Sequence, residues 1–199
     1  ADSRVVFALL NGVYDVEGDF VGDSLFDAIR DLDVQNESDY NRFGEFLIVR
    51  HADERLKLGK RVYANDLKNT IEWNEARYQN ILKEHPEWEA MARAVNAYAD
   101  CITYYYGVNC GLISQEAYNA MKKDYKKYVP MLRTGFKTKG DPTKKAKGSG
   151  RDIINPIDSL IQTTAKLMQM GIRNNVLLQL RKEALDGGVD AMLMTRIPT

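Results

Sequence analysis

At 199 residues with 44% apolar content, the chain is long enough to bury a real core as one ordinary domain or two small ones, which excludes a disordered chain. Its 28 basic residues balance 28 acidic ones, and no apolar run approaches the length that spans a bilayer, so the sequence reads as that of a soluble protein. The balance is uneven: residues 122–151 hold nine Lys and two Arg against two Asp, leaving seventeen basic and twenty-six acidic residues elsewhere, a basic segment on an acidic body.

In chain order, residues 3–14 place Val5, Val6, Leu9, Leu10 and Val13 at helical spacing. The apolar core there is too short, and too soon broken by acids, for a signal peptide. The chain begins without Met and ends at RIPT, as a piece of something longer would. Next comes DVEGDFVGDSLFD, whose Asp15, Glu17, Asp19, Asp23 and Asp27 invite comparison with a calcium loop. That loop needs Gly at its sixth position and Glu at its twelfth; Phe20 and Phe26 stand there instead. The stretch reads as a solvated acidic turn between two helices, and no metal site is expected.

Ser24 can cap a short second helix carrying Leu25, Phe26, Ile29 and Leu32. A third helix starts at Ser38 and Asp39, repeats Tyr40, Phe43, Leu47 and His51, and stops at Gly59. It contains FLIVRHADERL, residues 46–56, where Arg50 and His51 follow an apolar run as they do in histidine phosphatases. That chemistry needs a second His facing the first. The only other one is His85, in KEHPEWEA, with no Gly-flanked strand around it. On a helix, Arg50 is expected to be solvated and His51 to lie at a boundary.

Asn65 opens a fourth helix with Leu67, Ile71, Tyr78, Ile81 and Leu82. Pro86 ends it and begins a fifth, in which Trp88, Met91, Val95, Tyr98, Ile102 and Tyr105 recur until Gly107. Tyr104, Tyr105 and Tyr106 point three ways around such a helix, so one or two belong to the core. Cys101 and Cys110 make neither a disulfide framework nor a zinc site and are expected to be buried or half-buried free thiols. Ser114 starts a sixth helix, SQEAYNAMKKDYKKY, that stops before Pro130. Residues 133–152, with four Gly, one Pro and many Lys, have the composition of a flexible loop. Asn155 and Pro156 then start a long helix striped by Ile157, Leu160, Ile161, Leu167, Met168, Ile172, Val176 and Leu180. It is roughly 45 Å long at about 1.5 Å per residue, so it forms a spine or bends at Gly171. No hairpin signal separates two alternating runs, which disfavours strands.

Motifs for catalysis are absent. KAKGSGR lacks the spacing of a phosphate-binding loop, there is no Gly-x-Ser-x-Gly elbow, and neither His has a plausible partner. No catalytic residue, cofactor or metal is expected. The binding candidates are Lys122, Lys123, Lys126 and Lys127, interleaved with Tyr125 and Tyr128, together with Lys144, Lys145, Lys147 and Arg151 of the loop. Such cations can meet phosphates while a ring stacks on a base. The competing reading is an amphipathic helix with Tyr inward and Lys outward.

Residues 111–135 (GLISQEAYNAMKKDYKKYVPMLRTG), 147–161 (KGSGRDIINPIDSLI) and GIRNNV at 171–176 together resemble a helical region of the large polyvalent proteins of phages and conjugative elements. The shared pattern is Gly-Leu-Ile, a helix running into Tyr-x-Pro and Arg, a basic loop with Gly-Ser, then Asn-Pro and a long helix holding Arg-Asn. The resemblance implies a connecting, non-catalytic part of a very long protein that travels with DNA, and it assigns no active site. Tyr128 and Pro130 would anchor the loop's start, with Arg173 or Asn174 tying it back.

The expected architecture is all-α, an elongated bundle of six to seven helices in one domain: a helical bundle over 1–132, a flexible basic loop over 133–155, and the last, long helix over 156–199 packed on the same bundle. The expected function is structural or interaction work inside a large phage or mobile-element protein, in a virion or host cytoplasm. Its partners would be a protein, other domains of the parent chain or a second copy, without a membrane. Nucleic-acid binding, to DNA above all, through residues 122–151 is the alternative.

Overall fold

A computed structural model describes residues 2–134 and 152–186. They form seven α-helices: α1 (Asp2–Leu10), α2 (Leu25–Ala28), α3 (Glu37–Lys57), α4 (Ile71–Glu84), α5 (Trp88–Ile102), α6 (Gln115–Asp124) and α7 (Pro156–Leu185). The fold is an all-α bundle. A two-stranded hairpin, β1 (Val13–Tyr14) with β2 (Phe20–Gly22), is the one sheet among the described residues.

The hairpin corrects the expected helix over 3–14. α1 stops at Leu10, Gly12 takes a φ of +142° that an L side chain rarely adopts, and Val13 turns fully inward. The acidic segment is therefore the turn of a hairpin, and does not simply link two helices. Asp15 Oδ1 accepts the amides of Glu17, Gly18 and Asp19 at 2.9 to 3.0 Å, an Asx-type closure.

Periodicity located the larger helices, and local chemistry sets their ends. Asn36 caps α3 by accepting from the amides of Ser38 and Asp39. At the other end, the Lys60 amide bonds Arg55 O and the Gly59 amide bonds Leu56 O with Gly59 at a φ of +68°, a Schellman closure. The expected start at Asn65 gives only a 3-10 turn (Asp66–Lys68); Thr70 caps α4 proper. α5 does not continue as α-helix to Gly107. From Thr103 to Val108 it widens into a π-turn with Tyr106 buried and Tyr104 and Tyr105 half-buried.

α7 runs without interruption through Gly171. That glycine serves close approach, because a Cβ there would collide with the carbonyl of Tyr106 in the π-turn. Residues 156–171 of α7 bury Ile157, Leu160, Thr164, Leu167 and Met168 against the bundle. The core joins them to Phe43, Phe46 and Leu47 of α3, Trp88, Val95, Tyr98 and Ile102 of α5, and Val5 and Ala8 of α1. Arg133 and Ile153 form an isolated antiparallel bridge, with Thr134 N donating to Asp152 O at 3.0 Å and Ile154 N to Leu132 O at 2.9 Å. Most of the expected loop and the end of the expected last helix lie outside the described residues. Of the thiols, Cys110 is buried and Cys101 half-buried, both free. Among the described residues no helix is long and apolar enough to cross a membrane.

Candidate functional site

The expected sixth helix does not reach Pro130. α6 ends at Asp124, and residues 125–132 cross α3 and α5 as an irregular strap. What stops the helix is tertiary. Glu54 of α3 accepts the Lys126 amide at 2.9 Å and the Lys127 amide at 3.0 and 3.2 Å, while Asn96 of α5 donates to Tyr128 O at 2.8 Å. Val129 and Pro130 are buried behind those bonds. Tyr128 and Pro130 do anchor this stretch; the loop that Arg173 or Asn174 would tie back lies outside the described residues, and the Asn174 amide donates to Cys110 O.

Arg50 and His51 hold the strap from below, which corrects the expectation of a solvated Arg and a boundary His. Arg50 is 3% exposed and His51 1%. Arg50 uses Nε and Nη2 for a bidentate bond to Glu89 and Nη1 for Asn96, all at 2.9 Å. Tyr78 adds its hydroxyl to Glu89 at 3.1 Å. Burial pushes the Glu89 carboxyl up, but the Arg50 and Tyr78 bonds outweigh it and hold it below the usual carboxylate range. His51 packs edge-on against Tyr125 and Tyr128, with Nδ1 3.4 Å from Glu54. Burial lowers the His51 pKa despite that carboxylate, so the ring stays neutral at pH 7. Glu54 is likewise raised by burial but lowered further by His51 and the two strap amides, and stays ionised.

Above this seam lies a cleft of about 450 Å3 between α5 and the α6–strap wall. Glu89, Arg93, Asn96, Ala97 and Asp100 of α5 form one side; Lys122, Lys126 and Lys127 form the other, with Arg50 beneath. Both acids are occupied, Glu89 by Arg50 and Asp100 by Lys122 at 2.9 Å and by the Tyr118 hydroxyl at 2.8 Å. Arg93, Lys126 and Lys127 pair with no carboxylate among the described residues; Lys127 Nζ sits 5.8 Å from the Tyr78 ring centroid.

The structure thus brings Lys122, Lys126 and Lys127 together and leaves Lys123 exposed outside the cleft. Lys144, Lys145, Lys147 and Arg151 lie outside the described residues. Tyr125 and Tyr128 are not a base-stacking platform, since both rings face His51. Arg93 was missed. The signal for it was the polar stripe Glu89, Arg93, Asn96 and Asp100, which recurs at three to four residues along α5 opposite its apolar face.

Two other features bear on function. The carboxylates of Asp15, Glu17 and Asp19 meet within 4.8 Å, but Asp15 already closes the hairpin turn. α7 beyond Gly171 carries Val176, Leu177, Leu178, Leu180 and Leu185 exposed. Compared with protein-family models, curated proteins and solved structures, the chain matches none.

Proposed function

We propose that the chain is a non-enzymatic interaction domain of a larger phage or mobile-element protein, held to its partner through the distal half of α7. The observation that carries this is the exposure of Val176 at 49%, Leu177 at 54% and Leu180 at 44% on neighbouring positions of one helix. Residues three and four apart share a helix face, so these side chains form a continuous apolar strip. A contiguous strip of this kind marks a contact surface. The polyvalent-protein resemblance supplies the phage context and agrees with a connecting role.

Sedimentation equilibrium tests the surface. From micromolar to millimolar concentration the isolated chain is expected to exceed its monomer mass of 22.7 kDa, with a second copy standing in for the natural partner. Changing Val176, Leu177 and Leu180 together to Ser abolishes that rise without lowering the melting temperature. A monomer across the whole range overturns the reading.

A further inference from the structure

The geometry points to the cleft between α5 and the strap as a phosphate-binding site, with Arg93, Lys126 and Lys127 as its direct contacts and a single nucleic-acid strand as the favoured source of phosphate. The site stands apart from the α7 surface, which does not line it.

Charge is the first argument. Five cationic and two acidic side chains line the cleft, and ion pairs consume both acids together with Arg50 and Lys122. Three like charges are left facing one concave volume. They repel one another and focus a positive potential that raises the local concentration of anions. Lys122 has an ordinary structural explanation, as a cation in the last turn of α6 that also pairs Asp100. Arg93 and Lys126 have no such explanation, and Lys127, which lies over the Tyr78 ring and near Glu89, makes no ion pair of its own.

Rigidity is the second. Lys126 and Lys127 do not stand on a mobile loop, because their own amides are fastened to Glu54 and the next carbonyl to Asn96. Glu54, Asn96 and Arg50 therefore act as positioning residues: Glu54 and Asn96 fix the backbone from which Lys126 and Lys127 project, and Arg50 holds Asn96 in place, so only the side chains remain to be ordered on binding.

Chemistry and size set the ligand class. An Arg fork with two ammonium groups matches the oxygens of a phosphate better than a lone carboxylate. A volume of about 450 Å3 accepts a phosphate with its sugar, within the usual range for small-ligand sites. A strand laid along the cleft would present such groups in succession.

The test is fluorescence anisotropy of a labelled twelve-residue oligothymidylate at 50 mM salt and upward. Wild type is expected to bind with a log–log salt slope near about −2, the value for three phosphate contacts to a single strand. Arg93→Glu with Lys127→Glu should weaken binding by about tenfold or more, whereas Arg30→Glu with Lys83→Glu, an equal charge change elsewhere, should cost less than about threefold. Inorganic pyrophosphate and thymidine monophosphate, added at matched ionic strength, separate the sources. Displacement assigns the site to a free phosphate group, and resistance assigns it to the strand. The proposal is overturned if wild type fails to bind at 50 mM salt, or if the control variant loses as much as the cleft variant. Both pairs replace exposed or half-exposed side chains, so circular dichroism melts that superpose on wild type exclude misfolding.

Discussion

Arg50 and Arg93 line the same cleft and do opposite work. Arg50 is 3% exposed, with its Nε, Nη1 and Nη2 donors all bonded to protein, whereas Arg93 is exposed and pairs with no carboxylate among the described residues. The same contrast separates Glu54 from the Lys side chains above it, for the carboxylate is a half-buried fastener with its bonds made inside the protein and the ammonium groups face outward. A charge whose bonds are complete within the protein is architecture. One that projects from a fastened backbone with its bonding capacity open is available to a ligand.

The sharpest way to break this comparison is Arg50→Ala, which leaves the half-buried Glu89 without its cation and should cost about 2–4 kcal/mol, less than the full penalty for breaking a wholly buried pair. Denaturant unfolding measures it; a loss below about 1 kcal/mol would place Arg50 with the open charges. Glu54→Ala comes next. It strips two strap amides of their acceptor and should cost ~1–3 kcal/mol, while also weakening oligonucleotide binding although Glu54 carries the wrong sign to touch phosphate.

Acidification acts on the same fastening. His51 is neutral in the fold with a pKa below its ordinary 6.5, so its contribution is complete above pH 6.5 and is lost as pH falls below that value. Glu54 and Glu89, both held below the ordinary 4.5, add a second loss below pH 4.5. Unfolding at pH 7.5 and 5.5 should show lower stability at the acid end, and His51→Gln should flatten that difference. The smallest effect is that of Arg93→Ala, which should move the melting temperature by less than about 2 °C. A larger drop would show that Arg93 is structural after all.

The helices were legible because α3, α4, α5 and α7 each repeat apolar residues at helical spacing, with Asn155 and Pro156 announcing the last. The hairpin was not. β1 has two residues and β2 three, too few for an alternation, and Val13 extended the apolar spacing of α1. The end of α6 was hidden for another reason: Met121, Tyr125 and Tyr128 keep a helical spacing, and the groups that unwind the chain there, Glu54 and Asn96, lie 72 and 32 residues away. Arg50 illustrates the same limit. Its partners Glu89 and Asn96 stand 39 and 46 residues on, and only packing α3 on α5 turns a polar position of one helix into a buried one. The site was half visible, since Lys122, Lys126 and Lys127 stood out by density while Arg93 stood alone on its own helix.

The bridge between Arg133 and Ile153 has a consequence for how this chain can change. Because Thr134 N bonds Asp152 O and Ile154 N bonds Leu132 O, the two described ends that flank residues 135–151 are fastened side by side, as the two posts of one doorway. Lengthening a segment whose ends are already fixed side by side costs only about 0.6 kcal/mol per doubling. The bundle can therefore accept insertions there, or even a whole guest domain, without moving a helix. A protein engineer can use that doorway as a socket to seat a fluorescent reporter.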